Sequence, residues 1–226
     1  MNIRKTLARA AGVGAAATAA LGLFSTGAAN ADTFIPLHGG NIVQRLSDGT
    51  TVHGWLDGES ADINPSMGST PLHRNTWVSG EAHVHLTGDS SVNGGNIYPG
   101  YVVGCQVNID GGGVNAAPSV GASWDTSGNV TPAASAGGGG NLTLGPGQAQ
   151  AFYILDLEKK DDFGADIHKT YTPFTGNDAS VSWKDETIGL TGCAGYAQAR
   201  SFVSYEISSS HIQGWVTLWG QPFSLG

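Results

Sequence analysis

The chain has few basic residues and no long apolar run beyond its N-terminal region. Ten Lys and Arg stand against 18 Asp and Glu among 226 residues, for a net charge of −8. A protein that binds phosphate backbones needs a basic surface, so this balance argues against nucleic acid as a partner. A membrane-spanning helix needs about 20 consecutive apolar residues, and the chain after its N-terminal region offers none. Entry into a membrane would therefore require a closed β-barrel.

Motifs for catalysis and cofactor binding are also missing. The sequence contains no Gly-x-Ser-x-Gly elbow, phosphate-binding loop or dinucleotide fingerprint. Gly88-Asp89-Ser90 resembles the start of one esterase class, but Asp166-Ile167-His168 has the wrong spacing for its partner motif. His83 and His85 could approach a metal with His73, yet a good site needs three or four ligands and none completes the set. We therefore predict no enzyme, no catalytic residue, no cofactor and no metal ligand.

The N-terminus has the three parts of a secretory signal. Its positive region consists of Arg4, Lys5 and Arg9. The apolar stretch Ala10–Phe24 follows, and Ala29-Asn30-Ala31 is a small-residue cleavage site. We predict a signal peptide over residues 1–31 and an exported protein. Its removal would leave seven basic and 18 acidic residues, a net charge of −11, which favours cations near the protein.

The chain has two cysteines, Cys105 and Cys193. Exported proteins mature in an oxidising environment, where a pair of cysteines most simply forms one disulfide. Each cysteine lies among small residues in a strand-like run, so we predict a bridge between them.

Short strand patterns recur through most of the mature chain, and helical periodicity is hard to find. Their spacing of about 8–12 residues is typical of a β-sandwich. We predict an all-β fold in which residues 32–105 and 148–226 form one sandwich domain. The predicted strands are 51–56, 76–78, 82–86, 100–107, 150–157, 165–171, 179–184, 188–192, 197–207 and 211–218.

The segment 106–147 differs from the rest. It contains no Lys, Arg or Glu, and its only charged residues are Asp110 and Asp125. From Val114 onwards, apolar residues recur at even positions, while small or polar residues fill the odd ones; before the glycines 111–113 the phase is opposite, with Val107 and Ile109. That alternation is the pattern of a barrel strand with lipid on one face and water on the other. The predicted lipid-facing residues are Val114, Val120, Trp124, Val130, Leu142 and Leu144.

The two halves of this segment can pair as one hairpin. A polar turn, Asp125–Asn129, separates them. If Trp124 pairs with Val130, then Ala122 faces Pro132, Val114 faces Gly140, and every even residue lies on the same side. The run 114–124 has about the 9–11 residues that a tilted strand needs to cross a bilayer. The alternative is a Gly/Ala/Ser-rich surface loop or linker, in which Pro118 and Pro132 remove ladder donors.

A two-stranded ribbon cannot satisfy its own edges in lipid. It must pair with ribbons of other copies, and a water-filled channel needs roughly sixteen strands. Two strands per chain therefore predict a ring of about eight chains, closed by head-to-tail contacts.

Five short pieces together resemble the MspA-like porins of mycolic-acid-containing actinobacteria, and the two-cysteine version resembles the nocardial and rhodococcal branch. No piece is a strong motif by itself, but they lie in the right order across most of the mature chain. The pieces are Pro71-Leu72-His73-Arg74-Asn75, Ser79-Gly80-Glu81-Ala82, Gly100-Tyr101-Val102-Val103-Gly104, Gly192–Arg200 and Gly220-Gln221-Pro222-Phe223.

The resemblance implies a goblet-shaped octamer with a rim of sandwich domains and a barrel made of one hairpin per chain. It implies an outer-membrane (mycolate) porin for passive diffusion of small hydrophilic solutes and ions, with a preference for cations. Asp125 and Thr126 at the hairpin tip would form the constriction, and Asp110 would lie at the entrance. This tip has one acidic residue where the best-known members carry adjacent ones. Some members of the branch resemble partners in mixed pores, so the ring contains either one kind of chain or also a paralogue.

A second class of function fits the same sequence. A secreted, wall-associated β-sandwich could bind a ligand such as a glycan, with residues 106–147 as a flexible loop and no channel activity. Bilayer conductance separates the two classes.

Overall fold

The computed structural model describes residues 32–65, 72–88, 92–107, 113–116, 121–124, 130–133, 141–143, 147–160, 162–164 and 166–226. These residues belong to one compact unit, Asp32–Gly226. They contain sixteen β-strands and no α-helix, so within them the all-β prediction is confirmed. No helix among them is long and apolar enough to span a bilayer.

The first large sheet is antiparallel and has seven strands. Its central members are long because polar and apolar residues alternate over more than ten positions, as in β4, where buried and half-buried residues alternate. The strand order is β1-β3-β4-β14-β6-β9, and β2 also pairs with β3. The strands are β1 (Thr33–Pro36), β2 (Asn41–Arg45), β3 (Thr51–Pro65), β4 (Arg74–Thr87), β6 (Gly113–Ala116), β9 (Asn141–Thr143) and β14 (Asp178–Leu190).

The second large sheet also has seven strands, in the order β16-β15-β5-β10-β7-β8, and β13 also pairs with β5. Its longest pairing joins β5 and β15 from Cys105–Ala197 to Val92–Ser209. The strands are β5 (Val92–Cys105), β7 (Gly121–Trp124), β8 (Val130–Ala133), β10 (Ala149–Tyr153), β13 (Thr172–Phe174), β15 (Ala197–Ser209) and β16 (Gln213–Ser224). A separate two-stranded ribbon consists of β11 (Leu157–Lys160) and β12 (Asp166–Lys169).

Buried side chains of both large sheets form one hydrophobic core. Two polar contacts inside it link the sheets. The Trp183 indole Nε1 of β14 donates a hydrogen bond to the Tyr101 hydroxyl of β5 at 3.1 Å. The Tyr205 hydroxyl of β15 donates to the His83 carbonyl of β4 at 2.8 Å. Aromatic residues are therefore buried here with their polar ends satisfied, as burial requires.

Two bulges flank the middle of β4. One lies in β3 between Asp57 and Ser60, and the other lies in β14 between Trp183 and Glu186. Gly80 sits between them in β4, and a Cβ there would lie 2.7 Å from the Trp183 ring. Only glycine leaves room for this indole within the strand. Gly80 is therefore a packing position inside one continuous strand and not a break between two strands. The prediction of two strands separated at Gly80 is wrong for this reason.

Candidate functional site

The two ends of the segment 106–147 are held together at its base. The predicted disulfide is confirmed: Cys105 and Cys193 are bonded, with their Cα atoms 5.9 Å apart. The Gly147 amide donates to the Cys105 carbonyl at 3.2 Å. The Gln106 amide donates to Tyr196 at 2.9 Å, so both ends are bonded to the body.

Arg74 fixes the loop that carries the second cysteine. Its guanidinium donates to main-chain oxygens of Cys193 at 2.8 Å, Gly195 at 3.1 Å and Gly226 at 2.5 Å. The planar fork of Arg can direct several donors at once, and here they converge on three main-chain oxygens. Sequence pieces around Arg74 and Cys193, 119 residues apart, therefore meet at the base of the segment.

A groove of about 890 Å³ lies beside this base. Its lining includes Val102 from β5, Gln148, Arg200 from β15 and Trp219 from β16. Arg200 Nε donates to the Gly220 carbonyl at 2.8 Å, and its guanidinium lies 5.2 Å from the Trp219 ring centroid. The guanidinium therefore lies within the range of a cation–π interaction with the indole, which stabilises both groups.

Aromatic rings continue from this groove across the second sheet. Ring centroids are 5.0–5.8 Å apart from Tyr171 through Tyr98 and Tyr153 to Phe202 and Trp219, and Trp215 lies 5.2 Å from Tyr98. We call these six rings the aromatic face. Trp215 is 56% exposed and Trp219 is 38% exposed, which makes them available to a partner.

One carboxylate is built into the aromatic face. Glu206 accepts hydrogen bonds from Asn96 and Tyr98, each at 2.8 Å, and from Gln213. The bond from Asn96 is the main cause that lowers the Glu206 pKa, with Tyr98 and Gln213 acting in the same direction. Burial, and then this carboxylate, raises the pKa of the Tyr98 hydroxyl. Glu206 therefore stays ionised beside the rings.

A second carboxyl group lies in the core. Glu59 follows Gly58, whose φ of 60° belongs to the β3 bulge, and the residue is only 2% exposed. The Ser201 side chain comes from the irregularity in β15 and reaches the same point, where a Cβ on Gly220 would collide with both groups. Burial raises the Glu59 pKa to about 7, and Ser201 offsets part of that rise. Sequence reasoning missed this pair because the bulge moves a charged residue onto the buried face.

Several predicted site residues lie outside the described residues. They are Asp110, Val120, Asp125, Thr126 and Leu144. Their roles as entrance, lipid-facing and constriction residues stay predictions.

The other lipid-facing candidates lie on described strands. Trp124 pairs with Val130, as predicted, and Ala122 pairs with Pro132. Val114 pairs with Leu142, so the predicted pairing with Gly140 is wrong by two residues. A shift of two preserves the side-chain phase, and hydrophobic alternation cannot distinguish such registers.

The strands of the segment also pair with the body of the same chain. Val114 of β6 pairs with Leu190 of β14, and Ala122 of β7 pairs with Ala151 of β10. In the single chain, the strands of the segment therefore extend both large sheets. The first sheet ends with β9 and the second ends with β8.

The histidines considered as metal ligands have separate partners. His83 Nε2 lies 3.6 Å from the Asp57 carboxylate and 3.7 Å from that of Glu81. His85 Nδ1 lies 2.5 Å from Asp178 Oδ1. The structure thus gives these two histidines different carboxylates and no common site.

Comparison with known proteins gives one match and one negative result. A family model described as MspA matches residues 48–224. This range includes Arg74, both cysteines, the segment 106–147 and both large sheets apart from β1 and β2. No curated protein matches the chain.

Proposed function

The chain belongs to the MspA family, and we propose that it forms a water-filled channel through the outer (mycolate) membrane for small hydrophilic solutes and ions. The family is one of outer-membrane porins that form oligomeric assemblies, and it is a channel family without enzymatic activity. Residues 1–31 serve as the signal peptide for export, and residues 32–105 and 148–226 form a β-sandwich rim.

The segment 106–147 supplies the membrane wall. Two strands per chain and roughly sixteen strands for a wet lumen require about eight subunits, all alike or mixed with a paralogue. The observation that supports this most directly is the pairing of Trp124 with Val130 and of Val114 with Leu142. Even residues pair with even residues at both ends of a segment that lacks Lys, Arg and Glu. The stretches 114–124 and 130–144 have no charged residue, so a hairpin of this phase can present one face to lipid.

Assembly exchanges strand partners. In the single chain, β14 and β10 cover one edge of β6 and of β7. In the ring, ribbons of neighbouring copies take over that pairing, so backbone donors and acceptors remain satisfied. The disulfide and Arg74 keep the base of the ribbon attached to the rim during this exchange.

The hairpin tip determines selectivity. Asp125 and Thr126 line the constriction, and Asp110 lies at the rim-side entrance. A ring of carboxylates at a narrow, wet mouth attracts cations and excludes anions. The lipid-facing side carries Val114, Val120, Trp124, Val130, Leu142 and Leu144.

Planar lipid bilayers test this function. The mature protein should produce stepwise conductance, and a salt gradient should give a reversal potential of cation-preferring sign. Asp125→Asn should shift that potential towards zero, because it removes the tip carboxylate from every subunit. Asp162→Asn, on an exposed turn of the body, is the matched control and should leave it unchanged. Unchanged selectivity in Asp125→Asn would remove the constriction assignment, and the absence of conductance in the wild type would remove the channel.

The aromatic face supports a second candidate, a wall-associated module that binds glycans. Exposed rings beside hydrogen-bonding groups such as Glu206 and Gln213 suit the flat faces of sugars. In that case Trp215→Ala should abolish binding of cell-wall oligosaccharides to a monomer that never conducts. Retained conductance in this variant, without oligosaccharide binding by the wild type, favours the porin.

A further inference from the structure

The ribbon of β11 and β12 carries three metal-ligand side chains at neighbouring positions. Glu158 of β11 and His168 of β12 are direct cross-strand partners. Asp156 precedes Glu158 by two residues, and side chains two apart on an extended chain project to the same side. The hairpin therefore brings two carboxylates and one imidazole to one face.

The ligand atoms of these residues lie close together. One atom from each of Asp156, Glu158 and His168 lies within 4.8 Å of the others. His168 Nδ1 is 2.7 Å from Asp156 Oδ1. The Asp156 side chain is only 13% exposed and is held in place, whereas half of the His168 side chain is exposed. Glu158 is exposed.

The charges around these three ligands are mixed. Lys160 lies two residues after Glu158 and therefore on the same side of β11, whereas Lys169, next to His168, lies with its ammonium 5.8 Å from the centroid of the Tyr171 ring. The short distances between the three ligand atoms, not the net charge, therefore favour a bound cation.

We propose that Asp156, Glu158 and His168 bind one divalent first-row transition-metal ion of the Zn²⁺ type. Imidazole nitrogen with carboxylate oxygen suits Zn²⁺ and its neighbours, whereas Ca²⁺ and Mg²⁺ prefer oxygen alone. Ligand atoms about 2.1 Å from one ion lie at most about 4.2 Å apart, so a small rotation of Glu158 completes the set. The bound ion cross-links the two arms of the β11–β12 ribbon. This site is independent of the channel function.

Calorimetric titration of the mature, disulfide-bonded protein with Zn²⁺, after dialysis against a chelator, tests the site. The wild type should bind one ion per chain. His168→Ala should weaken binding at least tenfold, and Glu158→Gln should weaken it as well, because each removes a ligand. Glu158 is exposed, so its variant tests the site without disturbing the core.

His85→Ala is the matched control, since His85 also pairs with a carboxylate, Asp178, but outside the three-ligand group. It should retain the wild-type affinity, and excess Ca²⁺ should not displace Zn²⁺. Absence of Zn²⁺ binding by the wild type would overturn the proposal. So would an affinity that His168→Ala leaves intact, or a Zn²⁺ ion that Ca²⁺ displaces.

Discussion

The body of the chain and the segment 106–147 are both made of β-strands, but different forces specify them. The body buries Tyr101, Trp183 and Tyr205 between two sheets and connects them by specific hydrogen bonds. The segment consists mainly of Gly, Ala, Ser, Val and Thr, and the described parts of its strands are three or four residues long. Large buried side chains specify the body, and strand partners specify the segment.

This difference fits the proposed exchange of strand partners, in which the segment changes its partners and the body keeps its own. A core of closely packed large side chains resists rearrangement, because displacement of any one of them leaves a cavity. A short strand with small side chains is stabilised chiefly by its backbone partners, which another copy can replace. The Cys105–Cys193 disulfide and Arg74, which we call the anchor, lie at the boundary between the body and the segment.

The largest effect on the unfolding free energy should come from replacing a tryptophan of the body, and the same replacement in the segment should have a much smaller effect. Trp183→Ala should lower the unfolding free energy of the monomer by about 3–5 kcal/mol, because it leaves a cavity beside Gly80 and removes a partner of the Tyr101 hydroxyl. Trp124→Ala, the same change in the segment, should cost less than about 1 kcal/mol. Urea denaturation of both monomers measures the difference, and equal losses would refute the comparison.

The second largest loss of unfolding free energy should follow removal of the disulfide in the anchor. Cys105→Ser should lower the unfolding free energy by about 2–5 kcal/mol, because the disulfide closes a loop with a sequence separation of 88 residues. Cys193→Ser and the double variant should lose the same amount, since each removes one and the same bond. A double variant much less stable than either single variant would show that the thiols contribute separately. Denaturation under non-reducing conditions provides the measurement.

A smaller and pH-dependent effect should come from Glu59. Its pKa is raised from 4.5 to about 7 in the folded chain, so the folded state binds the proton more tightly than the unfolded state. The stability that it contributes is complete below about pH 4.5 and is lost as pH rises to about 7, by about 3 kcal/mol at most. Glu59→Gln, which stays neutral, should remove this decline. Unfolding free energies at pH 5 and pH 8 test it, and an unchanged slope in the variant would contradict the assignment.

Alternation along the sequence located the long strands of the body, but it divided β14 into the predicted strands 179–184 and 188–192, because the bulge between Trp183 and Glu186 interrupts the pattern. The predicted strand 197–207 lies in β15, and its apolar residues recur at odd positions such as Val203, Tyr205 and Ile207. The predicted strand 51–56 lies in β3. The predicted strand boundaries were wrong where a residue distant in the sequence determines them. The indole of Trp183 explains the continuity of β4 through Gly80, and nothing next to Gly80 in sequence indicates it. The short strands β1 and β2 were missed.

The candidate site was harder to predict than the strands, because most of its residues meet only through strand pairing. The disulfide was predictable because export leaves two cysteines few alternatives. The convergence of Asp156 and Glu158 with His168 was not, since it requires the register of a hairpin. Glu59 was not visible either, because its bulge reverses the alternation around it.

In the proposed channel, the segment 106–147 must leave the sheets of its own chain, and a reversible lock tests this directly. Asn115 of β6 and Gly189 of β14 are cross-strand partners, so cysteines at both positions can tie the ribbon to the body. In planar bilayers the oxidised double variant should not conduct, whereas after reduction it should conduct like wild type treated with the same reductant. The single Asn115→Cys variant is the control and should conduct throughout. Wild-type conductance from a fully oxidised, locked double variant would contradict the account.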